Sequence, residues 1–206
     1  MLKLVHAPDT RSVRILWMLE ELGLPYELEL YKLGDKAMRS PEYLEKLHPL
    51  GRVPVLIDGD TKLFESGAIV EYLIERHGGG RLRPAVDSPD FAPYLQWLHY
   101  AEGMLMPQVN IIMVETRFLP PEKRHQPNVD RAQKLLSRML VAVDAWLEGR
   151  DYLAGEFSGA DIMCGHACLV SARLGGDVSA LPNLQRYGQR LEAREALQRA
   201  RAVGVS

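Results

Sequence analysis

Val53-Pro54-Val55-Leu56-Ile57-Asp58-Gly59-Asp60-Thr61-Lys62-Leu63-Phe64-Glu65-Ser66 is the stretch that decides the architecture of the first half of this chain. Its first five residues are apolar and mostly β-branched, the pattern of a short buried strand. Asp58-Gly59-Asp60 is a tight hairpin signal, and Thr61 to Phe64 returns as a second strand. Ser66 then opens a helix in which Ile69, Val70, Leu73 and Ile74 recur at helical spacing. Upstream, Leu2-Lys3-Leu4-Val5 is a first strand and Ala7-Pro8-Asp9-Thr10 a turn cluster. Arg11 to Leu22 is a helix with Ile15, Leu19 and Leu22 on one face, closed by Gly23 at C′ with Pro25 just beyond. Tyr26 to Tyr31 follows as a strand and Pro41 to Leu47 as a short helix. The order is β-α-β-α-β-β-α, and a hairpin after two βα units requires a mixed sheet whose first pair is parallel.

Downstream, Gly78-Gly79-Gly80 and Pro84 break the composition, and every later segment has helical patterning. The expected division is 1–78, a linker at 79–87, and an all-helical domain over 88–206. Ser88-Pro89-Asp90 is a helix start with a hydroxyl cap and proline at the first position. That helix is expected to run to about Arg117 with a kink at Pro107. Leu136, Met139, Val143 and Leu147 mark the apolar face of the next. In Phe157-Ser158-Gly159-Ala160-Asp161-Ile162, Ser158 is placed to cap the Asp161 amide while the Asp161 carboxylate returns to the Ser158 amide. Phe157 and Ile162 flank this box as a hydrophobic staple.

The 206 residues are 47% hydrophobic and 25% charged, with a net charge of −2. Those proportions are ordinary for a globular enzyme and give no basic footprint for nucleic acid or a membrane surface. The longest charge-free apolar stretch, Met104 to Val114, is far short of the roughly 20 residues a membrane span needs. No leader-like pattern opens the chain, so a cytoplasmic location is expected. Cys164 and Cys168, four apart on one helix face, read as buried structural thiols, and no metal is expected.

Three short segments carry the candidate chemistry. In Gly51-Arg52-Val53-Pro54, a proline opening a strand is ordinary. A cis Val53–Pro54 bond would instead present the Val53 backbone to an added extended peptide. Glu65-Ser66 is an ordinary cap in one reading. In the other, the helix amides receive a carboxylate and Glu65 an ammonium, the two groups of an amino-acid end such as γ-glutamyl. Asp9-Thr10-Arg11-Ser12 caps the first helix or aims a hydroxyl and helix amides at a bound sulfur.

Taken together, the sequence resembles the glutathione transferase superfamily across nearly its whole length. The resemblance rests on Arg14 to Tyr26, on His48-Pro49-Leu50-Gly51-Arg52-Val53-Pro54-Val55-Leu56, on Glu65 to Leu73, and on Phe157 to Ile162. His48-Pro49-Leu50-Gly51 looks most like a bacterial and fungal branch in which relatives elsewhere carry Asn for His48. The resemblance implies a thioredoxin-like glutathione-binding domain followed by a helical bundle, working as a cytoplasmic homodimer in detoxification. It implies that Val53, before a cis Pro54, pairs with the cysteinyl part of glutathione. Glu65 and Ser66 hold its γ-glutamyl end, with Arg52 beside the peptide. For the activating hydroxyl two alignments compete: one puts Ala7 in the serine position of some classes, the other puts Thr10 there, with Ser12 in reserve. No cysteine precedes residue 164, which argues against a protein-thiol mechanism.

The implied reaction is conjugation of the glutathione thiolate to a small hydrophobic electrophile, with attack on a peroxide as a further use of the same thiolate. A free thiol has a pKa of about 8.5, and lowering it by about 2 takes roughly 2.7 kcal/mol. One hydrogen bond to a charged acceptor supplies about 1.5–3 kcal/mol. The second substrate is expected between the domains, against Trp97, Tyr100, Met104 and Met113. Two other readings stand beside this one: a glutathione-dependent isomerase, dehalogenase or disulfide reductase, and a non-catalytic binding or regulatory member of the fold.

Overall fold

A computed structural model describes residues 1–204, and Val205 and Ser206, the last two of the expected helical domain, lie outside the described residues. The chain forms two compact units, one of residues 1–81 together with the C-terminal tail from Glu192, the other of Leu82–Leu191. In the first unit, β1 (Leu2–His6), β2 (Tyr26–Leu30), β3 (Val55–Asp58) and β4 (Thr61–Phe64) form one sheet in the order β2-β1-β3-β4. β1 and β2 are parallel, while β3 is antiparallel to both β1 and β4. This is the mixed sheet that the strand and hairpin signals require.

Side chains alternate across the sheet as the two-residue period dictates. Leu4 and Leu56 are fully buried on one face with Ile15, Leu16 and Leu19 of α1 (Ser12–Leu22) and Ile69, Val70 and Leu73 of α3 (Ser66–His77). Val5 and Val55 pack on the other face with Met38 and with Tyr43 of the short α2 (Pro41–Lys46). Gly23 ends α1 in the left-handed conformation, φ 67°, and its N–H returns to Glu20 O and Leu19 O. Arg81 donates to the Glu21 and Leu22 carbonyls at 2.6 and 3.2 Å, satisfying two more orphan acceptors of that helix end.

The second unit contains α4 (Phe91–Tyr100), α5 (Met106–Met113), α6 (Gln126–Trp146), α7 (His166–Arg173) and α8 (Pro182–Glu192), whose last residue joins the first unit. α4 begins at Phe91, later than the cap signal places it, and Ser88 Oγ accepts from the Asp90 amide instead of closing the first helical turn. The helix continues to Phe118, but with widened turns at Ala101–Leu105 and Val114–Phe118. The first of these precedes Pro107. There the Met106 N–H reaches back five residues to Ala101 O, so a widened turn accommodates the proline where a kink is expected. On α6 the buried stripe is Val129, Ala132, Leu136, Leu140 and Val143, so Leu140 takes the core position the spacing assigns to Met139. Cys164 and Cys168 are buried free thiols.

α9 (Glu195–Ala202) is helical but belongs to the first unit, packed on α1. Arg194 makes a two-pronged pair with Glu21, Nε–Oε1 2.6 Å and Nη2–Oε2 2.8 Å, and Arg199 Nε lies 2.6 Å from Glu20 Oε2.

Asp161 organises the second unit. Its Oδ1 accepts from the Leu153 amide and the Tyr187 hydroxyl at 3.0 and 2.8 Å; its Oδ2 accepts from the Ser158 amide and hydroxyl at 2.9 and 3.1 Å. The expected box is therefore half reciprocal: the Ser158 hydroxyl donates to the carboxylate rather than capping the Asp161 amide. Phe157 packs edge-on against Tyr152, ring centroids 5.5 Å apart. Burial pushes the Asp161 carboxyl up to about 6 while the four donors pull it down. Replacing Asp161 with alanine strands two buried amides and two hydroxyls, and should cost roughly 3–5 kcal/mol in urea unfolding. A loss below about 1 kcal/mol would show that water replaces the carboxylate without penalty.

Candidate active site

Strand register alone brings the candidate segments to one edge of the sheet. Val55 pairs with Val5 on one side and with Phe64 on the other. The carboxyl end of β1, the amino end of β3 and the carboxyl end of β4 therefore lie side by side. The three segments attached to those ends are Thr10–Ser12, Arg52–Pro54 and Glu65–Ser66. In a sheet with helices packed against it, this edge is also where the amino ends of α1 and α3 converge.

The Val53–Pro54 peptide is cis. Behind it, the Tyr43 hydroxyl donates to the Arg52 carbonyl at 2.8 Å, while the Arg52 side chain is exposed. Gly51 makes the turn at φ 62°, and a Cβ there would lie 2.4 Å from the Met38 carbonyl oxygen, so glycine is required on both counts. His48 fixes the preceding turn: its Nδ1 accepts from the Leu50 amide at 3.0 Å, and its ring tilts against Phe64 at 4.7 Å. Burial lowers the pKa of His48, with Glu65 opposing and Arg52 reinforcing the shift.

Glu65 precedes α3 at φ 76°, ψ 110°, a region a side chain rarely occupies, and it is exposed with no capping bond of its own. Such outliers cost of order 1–3 kcal/mol and cluster where a site needs the geometry. Ser66 is buried, and its Oγ accepts from Arg14 Nη1 at 3.1 Å. Arg14 itself is fully buried on α1, so a guanidinium stands directly behind the Ser66 hydroxyl. It had a visible signal in the sequence: within Ser12-Val13-Arg14-Ile15-Leu16-Trp17-Met18-Leu19 it is the one charged residue, on a helix with no polar face to receive it.

Thr10 and Ser12 separate in role. Ser12 is fully buried, and its Oγ meets His6 Nδ1 and Thr10 Oγ1, each at 2.7 Å, and receives the Ala7 amide at 3.2 Å. Thr10 is half-buried; its hydroxyl donates to the Ala7 carbonyl at 2.7 Å and accepts the Ser12 amide at 3.2 Å. Ser12 thus sits beneath Thr10 rather than beside it, which removes it as a direct alternative. Ala7 is fully buried and offers only its backbone. His6, not anticipated as a site residue, is fully buried and held neutral, its pKa lowered to about 4 by burial against an opposing pull from the Val203 and Ser12 backbone. The trace it leaves in the sequence is a polar residue between Val5 and Ala7 where β1 ends.

In the helical unit, Trp97 is buried against Tyr100 and Trp146, ring centroids 4.9 and 5.7 Å away, so it is a core residue and not an open wall. Tyr100 donates its hydroxyl to the Met139 carbonyl at 3.2 Å. Met104 is exposed and Met113 half-buried. Among the described residues, no cluster of three or more His, Cys, Asp or Glu is arranged to hold a metal ion.

Family models of the glutathione S-transferase N-terminal domain and C-terminal domain match residues 1–75 and 108–195. The chain belongs to the glutathione transferase family. Glutathione S-transferase 4 of Zea mays is 37% identical over 193 residues, 89% of this chain and 83% of that one. Glutathione S-transferase GstB of Escherichia coli is 32% identical over 202 residues, 96% of each. A glutathione transferase from Pseudomonas putida, solved with one glutathione disulfide bound per subunit, superposes with a TM-score of 0.87 at 28% identity, over 98% of this chain and 91% of that one. One from Burkholderia graminis, with two glutathione molecules per subunit, gives 0.87 at 29% identity, over 99% and 88%.

Glycine at position 65 should raise stability by about 1 kcal/mol, because it relieves the backbone. Unchanged or lower stability of Glu65→Gly would show that φ 76° carries no strain. His6 titrates near 6.5 when unfolded and near 4 when folded, so the unfolded chain binds more protons between those values. Stability should therefore fall as pH drops through that window, by about 3 kcal/mol from this group. His6→Asn should lose that component, and parallel acid limbs for the two proteins would contradict it.

Proposed function

We propose that this chain binds glutathione at the edge where β1, β3 and β4 end, lowers the pKa of its thiol, and transfers the sulfur to a small hydrophobic electrophile. The observation that carries the reading is the convergence of three different donor sets on one sheet edge. The Val53 backbone pairs with the cysteinyl unit as an added strand. Ser66 and the amides opening α3 take the γ-glutamyl carboxylate, with Arg14 behind the hydroxyl adding positive charge. Glu65 takes the ammonium, and Arg52 lies beside the peptide. Thr10, the half-buried hydroxyl of the three-residue cluster, meets the sulfur.

Thiolate formation is then a matter of differential binding. A hydrogen bond from Thr10 strengthens when the sulfur becomes an anion, and about 1.5–3 kcal/mol from a charged acceptor covers the shift required. The thiol proton leaves to solvent. The sulfur attacks the electrophilic carbon and the leaving group departs with the bonding pair. With a peroxide acceptor the same thiolate attacks oxygen, the O–O bond breaks, and the alkoxide leaves and takes a proton from solvent. A second glutathione then condenses with the resulting glutathione sulfenic acid to give glutathione disulfide and water. Tyr100, Met104 and Met113 are the candidate apolar contacts for the second substrate. The same reading takes the protein as a cytoplasmic homodimer of the bacterial and fungal type with a detoxifying role. Among the described residues no helix is long and apolar enough to cross a membrane. The glutathione disulfide in the Pseudomonas putida relative favours a second reading, a glutathione-dependent disulfide reductase on the same site.

Calorimetry tests the binding half. Ser66→Ala should weaken glutathione binding about tenfold without loss of fold; unchanged affinity would take Ser66 out of the site. Turnover of an activated aryl chloride tests the chemistry. Thr10→Ala should lower kcat/KM by roughly ten- to a hundredfold below pH 7 and move the pH–rate profile upward. An unaltered profile would remove Thr10, and glutathione-disulfide reduction without aryl transfer would establish the second reading.

A further inference from the structure

His6 Nδ1, Ser12 Oγ and Thr10 Oγ1 form a chain of two 2.7 Å contacts, from the buried end of β1 to the half-buried turn. Each contact is short enough to require a proton between its atoms. A neutral imidazole and two hydroxyls have one proton apiece to give. Ser12 Oγ also lies 3.1 Å from the Ala7 carbonyl, but donating there would leave it to accept from His6, Thr10 and the Ala7 amide, one more bond than its two lone pairs hold, so the chain has two orderings. In the first, Thr10 donates to Ser12 and Ser12 to His6; the Thr10 proton is then spent inward, and Thr10 turns lone pairs to the outside. In the second, His6 donates to Ser12 and Ser12 to Thr10, leaving the Thr10 proton for the Ala7 carbonyl or for an external acceptor. Ala7 N–H also donates to Ser12 Oγ and Ser12 N–H to Thr10 Oγ1, both at 3.2 Å. In the second ordering each hydroxyl oxygen accepts two hydrogen bonds and gives one, so both are saturated.

We propose that His6, as its Nδ1–H tautomer, and Ser12 are positioning residues for thiolate formation: they hold the Thr10 hydroxyl as an outward donor, whose proton swings from the Ala7 carbonyl to the glutathione sulfur. The proposal rests on the reading that Thr10 meets that sulfur. A relay in the opposite sense, carrying the thiol proton inward to His6, is opposed by magnitude. Burial holds the ring near 4, and against a bound thiol lowered to about 6.5 that transfer is uphill roughly three-hundredfold. His6 therefore stays neutral throughout, donating a hydrogen bond without giving up its proton, and the thiol proton goes to solvent. The chain matters because each donor polarises the next, strengthening the last bond more than an isolated threonine could.

The test uses the full chain and three readouts: the pKa of bound glutathione by ultraviolet difference titration, affinity for S-methylglutathione, and the His6 tautomer by nitrogen-15 NMR of the glutathione complex. Ser12→Ala and His6→Leu should each raise the bound-thiol pKa by roughly half a pH unit or more. Affinity for S-methylglutathione, which has no ionisable thiol, should stay unchanged. Ser12→Thr and His6→Asn, which keep a donor in place, should restore the wild-type value, and the NMR should show Nδ1–H. If Thr10→Ala raises the thiol pKa and Ser12→Ala does not, the relay is wrong and the reading of Thr10 stands. If neither moves it, or if only Ser12→Ala does, both fall. Equal losses toward glutathione and S-methylglutathione would make Ser12 and His6 merely structural. An Nε2–H tautomer in the wild-type complex overturns the proposal with no substitution at all.

Discussion

Val55 is paired with Val5 on one flank and Phe64 on the other, and nearly every feature of the candidate site depends on that register. A slip of one residue would turn Leu56 and Leu63 to the wrong face and separate the three loop segments that share the sheet edge. The register is held from both sides. Leu4 and Leu56 are buried against α1 and α3, and Val5 and Val55 against Met38 and Tyr43. The core of the first unit thus positions the site directly, because the pairs that pack it lie immediately before or after the residues that meet a ligand.

The buried polar groups divide in the same way. Arg14, Ser12 and His6 are fully buried, Arg14 behind Ser66 and the other two behind the half-buried Thr10. Burying such groups costs free energy unless their hydrogen bonds are made, and a small network with every hydroxyl satisfied has few alternative arrangements. Rigidity at the edge is a consequence of that cost. Asp161 plays the corresponding part in the helical unit, where its four donors tie Leu153, Ser158 and Tyr187 to one carboxylate, far in sequence from any proposed chemistry.

Much of this was legible from the sequence, and the misses have physical causes. The succession of strands and helices along the first half, the hairpin at Gly59 and the helix end at Gly23 follow from short-range periodicity and turn chemistry, which act within a few residues. The Glu65-Ser66 and Val53-Pro54 segments stand out for the same reason. His6 and Arg14 leave a faint signal of their own and none of their partners: a histidine at a strand end and an arginine among apolar helix residues acquire their roles only through tertiary burial against Ser12 and Ser66. The helical pattern of the tail assigns it to the helical half, yet Arg194 and Arg199 pair with Glu21 and Glu20, more than 170 residues earlier. Pairing over that separation leaves no periodic trace. Pro107 invited a kink, and the chain widened a turn just before it, a choice between two ways of missing one N–H that local sequence does not decide.

The central claim is that the sheet edge stabilises glutathione as a thiolate. Ultraviolet difference titration of glutathione on the wild-type protein from pH 5 to 9 tests it most directly. A thiolate band titrating near pH 6.5, about 2 below the free thiol, is the predicted result. A band that appears only near the pKa of free glutathione, with binding confirmed by calorimetry, would contradict it and leave a site that holds the peptide without activating its sulfur.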